Sequence, residues 1–348
     1  MRRMTKVVNV GNVKIGGNEK ISIQSMLNAP SYDVEGNVEQ ALKLKKVGCD
    51  IIRVAIPDIE SVNLILKIKE KVDVPLVADI HFDYKLALES IAAGVDKIRI
   101  NPGNIGDEDK IKAVVKACKL KNVPIRIGVN SGSLEKEILK KYEHPTAQAL
   151  CESALYHASL LEKFDFDDIV LSMKSSDVKT MVDAYTMVAE RCSYPLHLGV
   201  TETGTQKLGV IKSAVGIGSL LLKGIGDTFR VSLTGDVEDE VECGKNILRS
   251  CGLYKGGIEI ISCPTCGRTR IDIIDLVKRA EKELSRFDKN LKVAIMGCAV
   301  NGPGEAREAD LGIAGGDGCG ILFKKGKILR QVKETDLLDE LIFEIEKL

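Results

Sequence analysis

Three cysteines carry the most chemically specific pattern in the chain. Cys263 and Cys266 stand in Cys263-Pro264-Thr265-Cys266, and Cys298 stands in a glycine-rich stretch from Gly297 to Glu305. A C-x-x-C turn brings two thiols within reach of one metal or one redox couple, and a Cys at the end of a separate apolar run supplies a third. Two centres are open to this set. Zinc takes four ligands, but no His follows His197, so none lies in this part of the chain. A 4Fe-4S cluster held by three thiolates leaves one iron for a different ligand, and Glu305 and Cys319 are the candidates. The choice decides the chemistry. A fourth thiolate closes an electron-transfer cluster, whereas a carboxylate is a harder ligand that a substrate oxygen displaces more readily.

A second constellation recurs at the ends of short apolar runs earlier in the chain. It comprises Gln24 and Ser25, then Arg53, Asp79 with His81, Arg99 with Asn101, Arg126 with Asn130 and Ser131, Lys174, Thr201 with Glu202, and Arg230 with Ser232. Each cation alone could pair with a neighbouring carboxylate. Four arginines and a lysine at matching positions repel one another and lose hydration, and a bound diphosphate offsets both in a geometry that suits guanidinium forks. Asp79 and His81, side by side, are candidates for acid/base work or for holding a substrate hydroxyl.

The elements that must position these residues are legible from punctuation. Val47-Gly48-Cys49-Asp50-Ile51-Ile52-Arg53-Val54 and Ala93-Gly94-Val95-Asp96-Lys97-Ile98-Arg99-Ile100 are near copies, each a helix stop at Gly, then Asp, then an apolar strand. Alternating with them are runs that open on proline, at Pro75, Pro124 and Pro195, where proline ends the preceding helix without removing a ladder hydrogen bond. With the runs at 21–26, 168–173 and 228–233, about eight strands alternate with helical stretches. This predicts an α/β protein, a (β/α)8 TIM barrel over residues 1–252, in preference to a doubly wound open sheet with the same alternation. In such a barrel the C-terminal strand ends share one face, so the five cations would converge. Residues 7–17 read as a hairpin plugging the barrel floor. After Gly252 the texture changes, and residues 253–348 read as a smaller α+β domain carrying the cysteines.

Composition agrees with this division. The chain has 348 residues, 44% hydrophobic but only 4% aromatic, so branched aliphatics must build the core, as suits parallel strands buried on both faces. Fifty Lys and Arg balance fifty Asp and Glu, which argues against a basic nucleic-acid binder. No apolar run reaches the length of a membrane span and the N-terminus leads into no signal-peptide core, so the expectation is a cytoplasmic protein with no nucleic-acid or membrane partner.

The motifs Ser22-Ile23-Gln24-Ser25-Met26, Ala78-Asp79-Ile80-His81-Phe82, Ile98-Arg99-Ile100-Asn101-Pro102-Gly103-Asn104, Cys263-Pro264-Thr265-Cys266-Gly267-Arg268 and Met296-Gly297-Cys298-Ala299-Val300-Asn301-Gly302-Pro303-Gly304-Glu305 resemble those of the bacterial 4-hydroxy-3-methylbut-2-enyl diphosphate synthases. The resemblance spans the compact two-domain form. It implies an iron-sulfur enzyme of isoprenoid biosynthesis that reduces and dehydrates 2-C-methyl-D-erythritol 2,4-cyclodiphosphate with electrons from ferredoxin or flavodoxin. It assigns a 4Fe-4S cluster to Cys263, Cys266, Cys298 and Glu305, and so decides against Cys319. It further implies a homodimer in which the cluster domain of one chain caps the barrel of the other. On this reading Arg53, Arg99, Arg126, Lys174 and Arg230 clamp the diphosphate, Asn101, Asn130, Ser131 and Ser232 add neutral donors, and Glu202, Asp79 and His81 manage protons. The rival expectations are a barrel synthase for a phosphorylated substrate with a structural zinc module, and a cluster-bearing redox sensor.

Overall fold

A computed structural model describes residues 2–299 and 306–348 and divides the chain into two compact units, Met1–Leu253 and Tyr254–Leu348. The first unit opens on an antiparallel hairpin, β1 (Val8–Val10) and β2 (Val13–Ile15). Eight parallel strands follow: β3 (Ser22–Met26), β4 (Ile51–Ala55), β5 (Leu76–Asp79), β6 (Lys97–Ile100), β7 (Ile125–Asn130), β8 (Ile169–Lys174), β9 (His197–Leu198) and β10 (Thr228–Phe229). They are ordered β8-β7-β6-β5-β4-β3-β10-β9, and a parallel bridge from Leu171 to Leu196 joins the two ends. The sheet is therefore a barrel and not the open doubly wound alternative.

Between the strands run α1 (Val34–Lys46), α2 (Asn63–Lys69), α3 (Tyr84–Ala92), α4 (Glu108–Lys121), α5 (Lys136–Tyr142), α6 (Ala147–Glu162), α7 (Val178–Ala189), α8 (Gln206–Leu222) and, after β10, α9 (Val237–Ser250). Asp33, Asp83, Asp107, Thr146 and Asp177 cap their helices by accepting first-turn backbone N–H groups.

The internal repeat has a physical purpose. Gly48 and Gly94 take φ of +71° and +87°, the left-handed region that turns the chain out of a helix at least cost in a residue without Cβ. The aspartate two residues on then ties the new strand to its predecessor: Asp50 accepts from the Ile23 N–H and Asp96 from the Leu76 N–H, both at 2.8 Å. Asp227 repeats the device on the Leu196 N–H at 2.9 Å. The prolines complete the rung from the other side. Pro75, Pro124 and Pro195 have no N–H to offer, but their carbonyls accept from Ile52, Ile98 and Leu171 of the neighbouring strands.

Side chains of the hairpin, Val8, Val10 and Ile15, pack with Ile51, Val77 and Val170 near the strand starts, so one end of the barrel is filled by apolar groups. The other end is left to the strand termini and the loops after them.

The second unit holds a five-stranded mixed sheet, β11 (Ile258–Ser262), β12 (Leu291–Met296), β13 (Leu311–Ala314), β14 (Cys319–Lys324) and β15 (Lys327–Lys333), in that spatial order. The first three are parallel and the last two join antiparallel. Helices α10 (Ile273–Leu284) and α11 (Leu337–Glu346) bury Leu276, Ala280, Leu284, Leu341 and Ile345 against Val293, Ile295, Leu311 and Ile313 of one sheet face.

Candidate functional site

Strand parity sets which residues meet at the open end of the barrel. Successive side chains on a strand alternate between axis and helix layer, so residues two apart share a face. On β6 the axial set is Lys97, Arg99 and, just beyond, Asn101; on β7 it is Arg126, Gly128 and Asn130; on β8 it is Ser172 and Lys174. The register agrees, pairing Asp79 with Arg99, Arg99 with Arg126, and Asn130 with Lys174. Arg53, His81, Arg99, Arg126, Asn130, Lys174, Arg230 and Ser232 line one cavity of about 260 Å³, together with Gly128, Ser172 and Thr201. That volume lies below the ~300 Å³ at which pockets for drug-sized ligands begin, so it suits a small polyanion better than a large cofactor.

The charges in this cavity are unequal. Asp79, only 1% exposed, accepts hydrogen bonds from Nη2 of Arg53 and, at 3.1 Å, from Nη1 of Arg99. Burial alone would raise its pKa, but the two guanidiniums outweigh this and hold the carboxyl below the usual carboxylate range. Glu240, buried on α9, accepts from Arg230 through both oxygens, at 3.0 and 2.8 Å, and also from the Ser25 hydroxyl and the Leu233 N–H. Neither Arg126 nor Lys174 has a carboxylate partner among the described residues. Burial lowers the pKa of both, and the neighbouring guanidiniums lower it further. Arg53 is lowered to about 10, by burial, against the pull of Asp79. Five cationic groups thus face two carboxylates, a balance that a di- or trianion would complete.

Two glycines make room for this packing. A Cβ at Gly128 would lie 2.2 Å from Nε of Arg99, whose Nη2 donates to the Gly128 carbonyl at 3.2 Å. A Cβ at Gly199 would lie 3.2 Å from Cε of Lys174.

The remaining sequence candidates fall into different places. His81 lies at the cavity edge, half exposed, with Nε2 3.5 Å from Asp79. Asn101 is buried, and its Oδ1 accepts from the Gly103 N–H, closing the turn Pro102–Asn104, while its Nδ2 has no partner among the described residues. Ser131 is half-buried at the start of a further turn, Ser131–Ser133, past the end of β7. Glu202 is exposed on the loop after β9, in left-handed conformation with φ +51°, and no hydrogen bond holds it to the clamp. Gln24 faces the barrel interior, fully buried, whereas Ser25 on the opposite face bonds to Glu240.

Sequence reasoning missed Glu240, Ser172 and Gly128. Glu240 had a signal: it sits with Val237, Val241, Gly244, Ile247 and Leu248 on the buried stripe of α9, where a carboxylate needs a partner. Ser172 is two residues before Lys174 and shares its face.

In the second unit, Cys263 follows β11 directly and Cys298 follows β12 by two residues, at the same end of two adjacent parallel strands. The Gly297 N–H already donates to Sγ of Cys263 at 3.2 Å, the kind of bond that tunes a thiolate-held cluster. Cys266 is exposed, and hydrogen bonds from the Arg268 backbone and side chain lower its thiol pKa. Cys319 opens β14, two strands across the sheet from β12, and its sulfur accepts from Nε2 of Gln331 at 2.7 Å. Glu305 lies outside the described residues, and among those described no group of three Cys, His, Asp or Glu gathers as metal ligands do. The donor chemistry nonetheless fits an iron-sulfur centre: soft thiols at one sheet end, one with a backbone N–H on its sulfur and one disposed to ionise.

Comparisons with known proteins follow the same division. Residues 5–245 match the family model described as the GcpE TIM-barrel domain, and residues 259–347 match that of the GcpE protein C-terminal domain. A curated protein of Clostridium perfringens, named 4-hydroxy-3-methylbut-2-en-1-yl diphosphate synthase (flavodoxin), is 59% identical over 345 residues, covering 99% of each chain. A relative of the same name from Caldanaerobacter subterraneus subsp. tengcongensis is 59% identical over 348 residues, covering 100% of this chain and 98% of its own. Among solved structures, dihydropteroate synthase from Stenotrophomonas maltophilia superposes with a TM-score of 0.52 at 15% identity, covering 71% of this chain and 98% of that one. At that identity the likeness speaks for the barrel fold alone. No helix among the described residues is long and apolar enough to cross a membrane.

Proposed function

The chain belongs to the GcpE family, and on that premise we propose that it converts 2-C-methyl-D-erythritol 2,4-cyclodiphosphate to (E)-4-hydroxy-3-methylbut-2-enyl diphosphate by a two-electron reductive dehydration, flavodoxin being the electron donor. The observation that carries the substrate half of this reading is the convergence of Arg53, Arg99, Arg126, Lys174 and Arg230 on one small cavity with two carboxylates between them.

In this reading the guanidiniums of Arg53 and Arg99, oriented by Asp79, and that of Arg230, oriented by Glu240, present planar donor forks to the phosphoryl oxygens. Arg126 and Lys174 supply charge from deeper in the barrel. Asn130, Ser131, Ser172 and Ser232 add neutral donors that sort oxygen from carbon along the ligand, and Asn101 holds its loop against the mouth. Asp79, bonded to two arginines, keeps its negative charge at working pH and serves as their anchor, so the proton nearest the reacting centre falls to His81. Glu202, on the exposed loop, reaches the substrate only if that loop folds inward.

Cys263, Cys266 and Cys298, with Glu305, would hold a 4Fe-4S cluster, which when bound would relay the two electrons from flavodoxin one at a time. A single chain has one clamp and one cysteine edge, and the reaction requires both at one substrate. We place them together in a homodimer, the second unit of one chain covering the barrel of its partner.

The test is anaerobic. Protein reconstituted with iron and sulfide should be brown and should yield hydroxymethylbutenyl diphosphate from the cyclodiphosphate with reduced flavodoxin. A colourless zinc protein, or a brown one that leaves reduced flavodoxin unconsumed, would contradict the reading.

A further inference from the structure

Beneath the clamp lies a second polar layer that, apart from Arg126, the proposed reaction does not use. Below the mouth and above the apolar floor, Ser22, Gln24, Lys97, Arg126, His197 and Thr228 face the barrel axis, each at most 2% exposed. Parity places them: Lys97 is two residues before Arg99, His197 two before Gly199, and Ser22, His197 and Thr228 share one register row. Barrels of this kind ordinarily fill such layers with branched aliphatics.

Here the polar atoms lack partners. Among the described residues, nothing bonds to Nζ of Lys97, either ring nitrogen of His197, either amide atom of Gln24, Nε and Nη1 of Arg126, or the hydroxyls of Ser22 and Thr228. Buried polar groups in native proteins are almost always satisfied, so this layer holds ordered water or answers to a charge that arrives.

The charges facing Lys97 identify which. Arg53 and Arg126 lie near it, and His197 lies near Arg126, Lys174 and Lys97. Around the ring stand also Arg99 on β6 and Arg230 after β10, with Asp79 on β5 and Glu240 on α9 already committed to arginines. The Tyr185 hydroxyl is occupied by the Met173 N–H and the His197 carbonyl. At the barrel base Asp96 is held by Lys69 and Asp227 by Arg2, both turned to other partners. Among the described residues no carboxylate is left for Lys97, and the floor beneath it is apolar.

We propose that Lys97 is a charge-balancing residue: its fully buried, unpartnered amine gains protonation from solvent when a diphosphate anion fills the mouth above it. The inference rests on the reading of the mouth as an anion clamp. Burial and the adjacent guanidiniums disfavour the ammonium while the barrel is empty, in keeping with this. An incoming polyanion reverses the local potential and so favours the ammonium. The proton thus taken up lies two residues along the strand from Arg99 and offsets part of the charge of the bound anion.

Titration calorimetry of the full chain with inorganic pyrophosphate, in buffers of small and large protonation heat, reads the protons taken up per anion bound. The unaltered protein should take up more protons than Lys97→Met, by up to about one per anion bound, the Met side chain matching lysine in length without the amine. Lys97→Gln provides a second comparison should Met disturb the fold. A second measurement uses sulfate, whose charge is constant near neutral pH and above: its affinity should fall more steeply with rising pH in the unaltered protein than in Lys97→Met, the difference being no more than roughly tenfold per unit. Equal uptake in the unaltered protein and both variants, or a pH dependence of sulfate affinity unchanged in Lys97→Met, overturns the role of Lys97 alone. Absence of any anion binding overturns the clamp itself, and the two failures are therefore distinct.

Discussion

The barrel mouth and the cysteine edge reach readiness by different means. At the mouth, most of the charged groups are on strands or directly after them, are nearly buried, and several have fixed partners: Asp79 on two arginines, Glu240 on a third. At the cysteine edge the thiols follow strand ends, Cys266 is exposed, and no ligand set has gathered among the described residues. A phosphate clamp consists of side chains that strand parity aims without help. A metal centre also depends on the metal's own bonding energy to hold its ligands together. Anion recognition should therefore survive without metal, whereas electron delivery should not.

The sharpest way to separate the regions is Cys298→Ser. It should eliminate iron content and turnover yet leave pyrophosphate affinity within about twofold. Loss of anion binding in that variant would show that the mouth depends on the edge. Asp79→Asn attacks the other region. It leaves Arg53 and Arg99 uncompensated, so kcat/KM should fall roughly a hundredfold and stability by about 3 kcal/mol. The pH dependence carries a sign. A carboxyl held below its ordinary range contributes stability that is complete above its unfolded pKa of about 3.9 and is lost as pH falls toward the depressed native value. Acid unfolding followed by circular dichroism should accordingly show a flatter acid limb in Asp79→Asn.

Gly128→Ala places a methyl against Arg99 Nε and should raise KM about tenfold through one displaced charge-assisted hydrogen bond, with cluster content unchanged. The smallest expected effect is that of Glu202→Gly, which removes the cost of a left-handed non-glycine residue and should raise stability by about 0.5–1 kcal/mol in thermal melts. If turnover collapses there as well, Glu202 moves inward during the reaction.

The barrel and its clamp were legible because both rest on local rules. Gly-x-Asp or Pro punctuation marks five of the eight strand starts, and the shared C-terminal face of a barrel is how Arg53, Arg99, Arg126, Lys174 and Arg230 could be grouped. Parity does not report depth or partners from other elements. Lys97 and His197 obey the same alternation as Arg99 and Thr201 but lie a layer lower, and His197 by itself offered no signal. Asp79 could be read from the sequence as a candidate for acid/base work or for holding a substrate hydroxyl, but not as the partner of two arginines, and Glu240 belongs to a helix whose stripe had to be read together with β10. Glu305 illustrates the converse: its place in the motif is plain, but it lies outside the described residues.

The account stands most directly on anion binding by the metal-free protein. Calorimetry of the full apo chain with pyrophosphate should show one site whose affinity weakens with salt and drops at least tenfold in Arg126→Met. Binding that appears only after cluster reconstitution, or that is indifferent to Arg126→Met, would contradict it.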